Sequence, residues 1–111
     1  MRVLKRLWVN RMKIILDGRE CTNRTETHLY LKEMLDFPEY YGMNLDALYD
    51  CASTMQDVEV HLFYWHLMVE QLGNYGQLVI ETLSEAAQEN PGFEFVLEPN
   101  NFLVLTSAND K

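Results

Sequence analysis

Cysteine is scarce: Cys21 and Cys51 are the only two in 111 residues, too few for a disulfide framework, so both are expected as reduced thiols in a cytoplasmic protein. Positive charge is scarce as well. Nine Lys and Arg against seventeen Asp and Glu give a formal charge of −8, which repels phosphate backbones and anionic headgroups. Nucleic-acid binding and membrane attachment are thereby disfavoured, and a basic partner is favoured. Long apolar runs are missing too, since the longest uncharged stretch, Pro99 to Asn109, has 11 residues, short of the roughly 18 that a membrane-spanning helix needs. The start, MRVLKRLWVNR, lacks the apolar run and small-residue cleavage pattern of a signal peptide.

Catalytic signatures are absent in the same way. No GxGxxG, phosphate-binding loop, GxSxG or HExxH occurs, and His28, His61 and His66 have no metal-ligand spacing, so neither cofactor nor metal is expected.

What remains is an ordinary globular composition, 48% hydrophobic and 23% charged, in a length that suits one core. Charge is unevenly placed. Residues 1–11 carry Arg2, Lys5, Arg6 and Arg11 and no acid, so residues 12–111 hold −12. The break falls at Met12, a candidate translation start, and divides the chain into a basic extension (1–11) and a single domain (12–111).

Within that domain MKIILDG reads as a buried strand near 13–17 stopped by an Asp-Gly turn. Asn23 with Glu26 three residues later forms a capping box before a helix near 24–35, on which His28, Leu31, Met34 and Leu35 share a face. Pro38 and Gly42 then break the period, and Asn44 caps a second helix near 44–55 whose stripe is Leu45, Leu48, Ala52 and Met55. VEVHLFYW predicts a strand over 58–65, followed by helices near 66–73 and 76–90 with an interruption at Asn74-Tyr75-Gly76, and FEFVLE a strand over 93–98. Phe102–Thr106 (FLVLT) is a candidate additional C-terminal strand. Paired helical segments between successive strands predict an α/β fold, a small three-stranded parallel sheet packed with about four helices.

One constellation carries functional meaning. Asp46 and Asp50, four residues apart, lie on one side of the second helix, roughly opposite its apolar stripe. Asp46 meets the helix dipole favourably, whereas Asp50 gains nothing from it and repels Asp46 by about 0.2–0.5 kcal/mol. Glu39, Tyr40, Tyr41 and Tyr49 crowd the same stretch, and surface aromatics beside acids suit an interface that selects cations. Packing of one or two of these tyrosines into the core is the plainer alternative.

The run Pro38–Cys51, PEYYGMNLDALYDC, resembles the signature PEYYG-x-NLDALWDC of the barstar family, intracellular protein inhibitors of barnase-type ribonucleases. Only Met43, at a variable position, and Tyr49, in place of tryptophan, differ. The likeness extends more weakly from Met12 to Glu98, and the segment beyond exceeds the family's usual end. A tryptophan often found between the second helix and second strand is replaced here by Met55 and Gln56 with one residue inserted, which bears on the rim of the contact.

The resemblance implies the same three-stranded fold and an inhibitor that plugs a ribonuclease active site as a monomer when free. It places the contact residues on Tyr40, Asp46, Asp50 and, by alignment of SEAAQEN, Glu85, with Gly42 and Asn44 shaping the loop and Tyr49 beside them. Asp50 would face the enzyme's arginines and catalytic histidine, Asp46 and Glu85 flanking cations, and Tyr40 would stack over the cleft. Two other classes stay open: an acidic adaptor that binds a different basic protein by the same face, and an enzyme using Asp46 and Asp50 as acid and base. The last lacks a pocket that would part their pKa values.

Overall fold

A computed structural model describes residues 11–99. Residues 1–10, most of the basic extension, and the candidate strand at Phe102–Thr106 lie outside the described residues.

The first strand, β1 (Met12–Asp17), stops at a 3-10 turn, Gly18–Glu20, where Asp17 accepts from the Arg19 N–H at 2.9 Å. Gly18 is required there by close approach: a Cβ would lie 2.4 Å from the Tyr64 carbonyl oxygen. Asn23 caps α1 (Arg24–Met34) by accepting from the Glu26 N–H at 2.8 Å. Thr27, His28, Leu31 and Leu35 form its buried stripe; Met34, expected on that face, lies at the edge and stays exposed. Asn44 caps α2 (Leu45–Ser53) in the same way, bonding the Ala47 N–H at 2.8 Å.

The strand β2 (Val58–Phe63) ends two residues before the sequence-based limit because Tyr64 turns into the left-handed region at φ 58°, and Trp65 opens α3 (Trp65–Leu72). A further correction concerns the boundary between α3 and α4 (Asn74–Glu89). The chain turns at Gly73, with φ 64°, a conformation that glycine adopts without steric cost, and Asn74-Tyr75-Gly76 is the first turn of α4. Gly76 is buried against α3, its would-be Cβ 3.0 Å from the Val69 Cα, so this glycine serves helix packing. The last strand is β3 (Phe93–Leu97).

The sheet order is β1-β2-β3, all parallel, with Leu16 opposite Leu62 and Val60 opposite Phe95. Two crossovers of the usual right hand, moving in one direction across a sheet, put both helix pairs on one face. Burial agrees: Val58, Val60 and Leu62 are buried, while the alternating Glu59, His61 and Phe63 are half-buried. The core joins Leu16, Val60, Leu62 and Phe93 of the sheet to Leu31, Leu48, Ala52, Met68, Val79, Leu83 and Ala86 of the helices. Each large side chain among them stabilises the fold by about 1.5–3 kcal/mol through removal from water. Arg11 is fastened to this body, donating to the Val58 carbonyl at 3.2 Å and the Pro91 carbonyl at 3.0 Å. No described helix is long and apolar enough to cross a membrane.

Candidate protein-binding face

The site is built on α2, which is held at both ends by asparagines. At its start the Asn44 carboxamide bonds the Ala47 N–H and, through Nδ2, the Gly42 carbonyl at 3.1 Å, so the loop enters the helix in one geometry. At its end Asn90, buried at the close of α4, donates from Nδ2 to the Ala52 carbonyl at 3.1 Å and the Met55 carbonyl at 2.7 Å. The first carbonyl belongs to the last turn of α2 and the second to the chain just beyond it, so Asn90 ties the end of α2 to the end of α4. Leu48 and Ala52 of α2 are buried with Val79, Leu83 and Ala86 of α4, so the two helices lie side by side and present one composite surface.

That surface collects residues far apart in sequence. Leu45, Asp46, Tyr49 and Asp50 of α2 and Thr82 and Glu85 of α4 line one shallow open groove of about 570 Å³. Asp50 also borders a second groove, beside Leu35, Pro38, Tyr40 and Met55. Asp50 is therefore the residue shared by the groove holding Glu85 and the groove holding Tyr40. Asp46, Asp50 and Glu85 are all exposed, which leaves their carboxylates available to a partner. Glu39, counted with the acids by sequence, is instead paired to Lys32 at 3.3 Å.

The two loop tyrosines divide their roles. Tyr40 is 86% exposed, the most exposed of the large apolar side chains described. Tyr41 is buried, its ring 4.8 Å from that of Phe37 and its hydroxyl 2.7 Å from His28 Nδ1. The plainer alternative thus holds for Tyr41, while Tyr40 faces water. Gly42 is confined by its neighbours, since a Cβ there would lie 3.2 Å from the Ala47 Cβ. Tyr49 is half-buried, packed against the core with part of its side chain facing the groove beside Asp46 and Asp50.

Thr82 was not singled out in the sequence. It stands three residues before Glu85, so its place on the same helix face was readable once Glu85 had been assigned. Cys51 is half-buried, and burial, with the neighbouring Asp50 charge, raises its thiol pKa, the opposite of what a reactive thiolate requires. Cys21 is more deeply set, pushed up to about 11 chiefly by burial. Among the described residues no group of three or more His, Cys, Asp or Glu could hold a metal ion.

An exposed three-acid face beside a projecting tyrosine thus stands on a frame of three parallel strands. The family model described as "Barstar (barnase inhibitor)" matches residues 11–99. The chain belongs to the Barstar family. Its match begins at Arg11, the residue fastened to β2, and ends just beyond Glu98. A Bacillus subtilis (strain 168) protein named "Putative ribonuclease inhibitor YrdF" is 40% identical over 89 residues, covering 78% of this chain and 98% of that protein. As a Barstar family member, this chain retains the loop and helix run Pro38–Cys51 on the surface just described, with Tyr49 facing the groove where the family signature has tryptophan.

Proposed function

We propose that this protein is a stoichiometric inhibitor of a barnase-type ribonuclease, acting by occupying the enzyme's active site and performing no chemistry of its own. The observation that carries the reading is the convergence of Tyr40, Asp46 and Glu85 on Asp50 across two adjoining grooves. A ribonuclease stabilises a scissile phosphate with cationic side chains, so its cleft is positive and an exposed carboxylate cluster is complementary to it. Asp50 takes the phosphate's place against the enzyme's arginines and catalytic histidine. Asp46 and Glu85 pair with flanking Lys or Arg, and Tyr40, free of other duties, stacks over the cleft. Family membership and the name of the Bacillus subtilis relative support the same target class.

The net charge of −8 adds long-range attraction, raising the association rate most at low ionic strength. The proposed location is the cytoplasm, with a basic ribonuclease as partner and the free protein a monomer. Titrating purified protein into barnase while following RNA cleavage tests the reading. Activity is expected to fall linearly to zero at one equivalent, with an association rate that drops as salt rises; full RNA cleavage at excess protein contradicts it.

A further inference from the structure

The groove that Asp50 shares with Tyr40 holds a further carboxylate, outside the set of Asp46, Asp50 and Glu85. It is an open hollow of about 370 Å³ between the loop after α1 and the end of α2. Leu35 and Pro38 from the loop and Met55 from just beyond α2 give it an apolar lining, with Tyr40 beside them. Asp36 borders it from the loop and Asp50 from the helix, so its two carboxylates come from different elements. Both side chains are exposed, and neither makes a hydrogen bond or ion pair among the described residues. Lys32, the cation in the last turn of α1, is turned to Glu39 instead.

We infer that this groove is a subsite for an arginine of the bound ribonuclease, and that Asp36 is a specificity-determining residue of the contact face. The inference rests on the reading of this face as a ribonuclease-binding surface and adds one partner side chain to it. That arginine lies at the rim of the enzyme's cleft, additional to the cations that face Asp50 within it.

The argument is one of matching chemistry. Two carboxylates bordering an apolar hollow suit a cation carried on an apolar stem. A bare metal ion does not fit, since no group of three or more His, Cys, Asp or Glu among the described residues could hold one. Lysine and arginine both have such a stem, which packs along apolar surface while the charged end stays in water. Arginine fits better for two reasons. Its guanidinium presents N–H donors in a planar fork, so one group can bond a carboxylate from the loop and another from the helix, where an ammonium acts as a point charge. The same plane also stacks on an aromatic face, and the Tyr40 ring, 86% exposed, is open to it. Met55, half-buried and unbranched, can shape itself to the stem. The subsite is continuous with the proposed contact face because Asp50 borders both grooves, so a partner seated on Asp46, Asp50 and Glu85 brings its rim to this hollow.

Asp36→Asn is the informative variant. Asp36 has φ 57°, a conformation that asparagine tolerates as well as aspartate does, so the substitution removes the charge and keeps the loop. Dissociation constants for barnase are measured for the wild type, Asp36→Asn and Asp50→Ala at low and moderate salt, beside melting curves. Asp36→Asn is expected to melt no lower than the wild type and to bind about fivefold more weakly at low salt, with the gap narrowing as salt rises. Alanine replacement of barnase arginines, one at a time, is expected to find one whose loss removes the gap; a gap that survives them all overturns the inference. Wild-type affinity in Asp36→Asn, with weakened binding in Asp50→Ala, overturns the inference and leaves the reading of the face standing. If the wild type does not bind barnase at all, that reading fails and a titration decides the subsite. N-acetyl-arginine amide, or its uncharged isostere N-acetyl-citrulline amide, is added to protein labelled at the methionine methyl groups. A saturable shift of the Met55 methyl signal with the arginine compound alone, lost in Asp36→Asn, upholds the subsite; equal responses to the two compounds, or none, overturn it.

Discussion

Asn44 and Gly42 are bonded across the junction of loop and helix, the Asn44 Nδ2 donating to the Gly42 carbonyl at 3.1 Å while its Oδ1 accepts from the Ala47 N–H at 2.8 Å. One side chain thus does two separable things, capping α2 and fixing the loop that carries Tyr40. Asn44→Ala removes both and is expected to cost about 1 kcal/mol of stability. Asn44→Asp keeps the cap and loses the donor. Its melting temperature should stay near that of the wild type while its inhibition of barnase weakens severalfold; unchanged inhibition in Asn44→Asp shows that the Gly42 bond plays no part in binding.

A second expectation concerns Asp36, which follows α1 at φ 57° with its side chain exposed. The left-handed conformation after a helix end favours glycine, and a carboxylate there opposes the helix dipole. Asp36→Gly relieves both and should stabilise the fold by about 0.5–1 kcal/mol, net of glycine's greater freedom in the unfolded chain. Thermal denaturation should show a rise of a few degrees, and a fall contradicts the assignment.

The third expectation is a pH dependence with two opposed limbs. His61 lies on the outer face of the sheet, its Nδ1 2.5 Å from Glu98 and its Nε2 2.6 Å from Glu59. Burial lowers its pKa, but the bonds to Glu98 and Glu59 outweigh that and raise it above 6.5. A base with a raised folded pKa contributes stability that is complete below 6.5 and lost as pH climbs through the raised value. His28 has the opposite sign: its contribution is complete above 6.5 and declines as pH falls toward its lowered value. Melting temperatures of the wild type should therefore decline on both sides of neutrality. His61→Gln is expected to flatten the alkaline limb alone; equal alkaline slopes in the two proteins refute the role of the carboxylate clamp.

The order of elements was legible because its punctuation is local. Asn23 and Asn44 announce their helices, Asp17-Gly18 ends β1, and the spacing of Leu48 and Ala52 marks the buried side of α2. The errors came where the decisive contact is distant. Gly76 looks like a helix breaker in sequence, and only the approach of Val69 makes it a packing residue; the run through Trp65 has strand composition, and only the turn at Tyr64 ends it. The Asp46 and Asp50 pair was readable from helical spacing, and Glu85 only through the family resemblance, because it reaches the site by the packing of α4 on α2. The link from His28 to Tyr75 spans 47 residues and leaves no local signal.

The affinity of Asp50→Ala for barnase, measured beside its melting curve, tests most directly the proposal that Asp50 sits against a ribonuclease's cationic centre. Truncating one member of a buried charge pair costs a complex about 2–5 kcal/mol or more, a range to which the barnase–barstar pair itself contributed. Asp50 is exposed in the free protein and repels Asp46, so its removal should leave folding unchanged or slightly improved. Asp50→Ala is expected to fold well and to bind barnase at least about thirtyfold more weakly than the wild type. Equal binding by two equally stable proteins would contradict it.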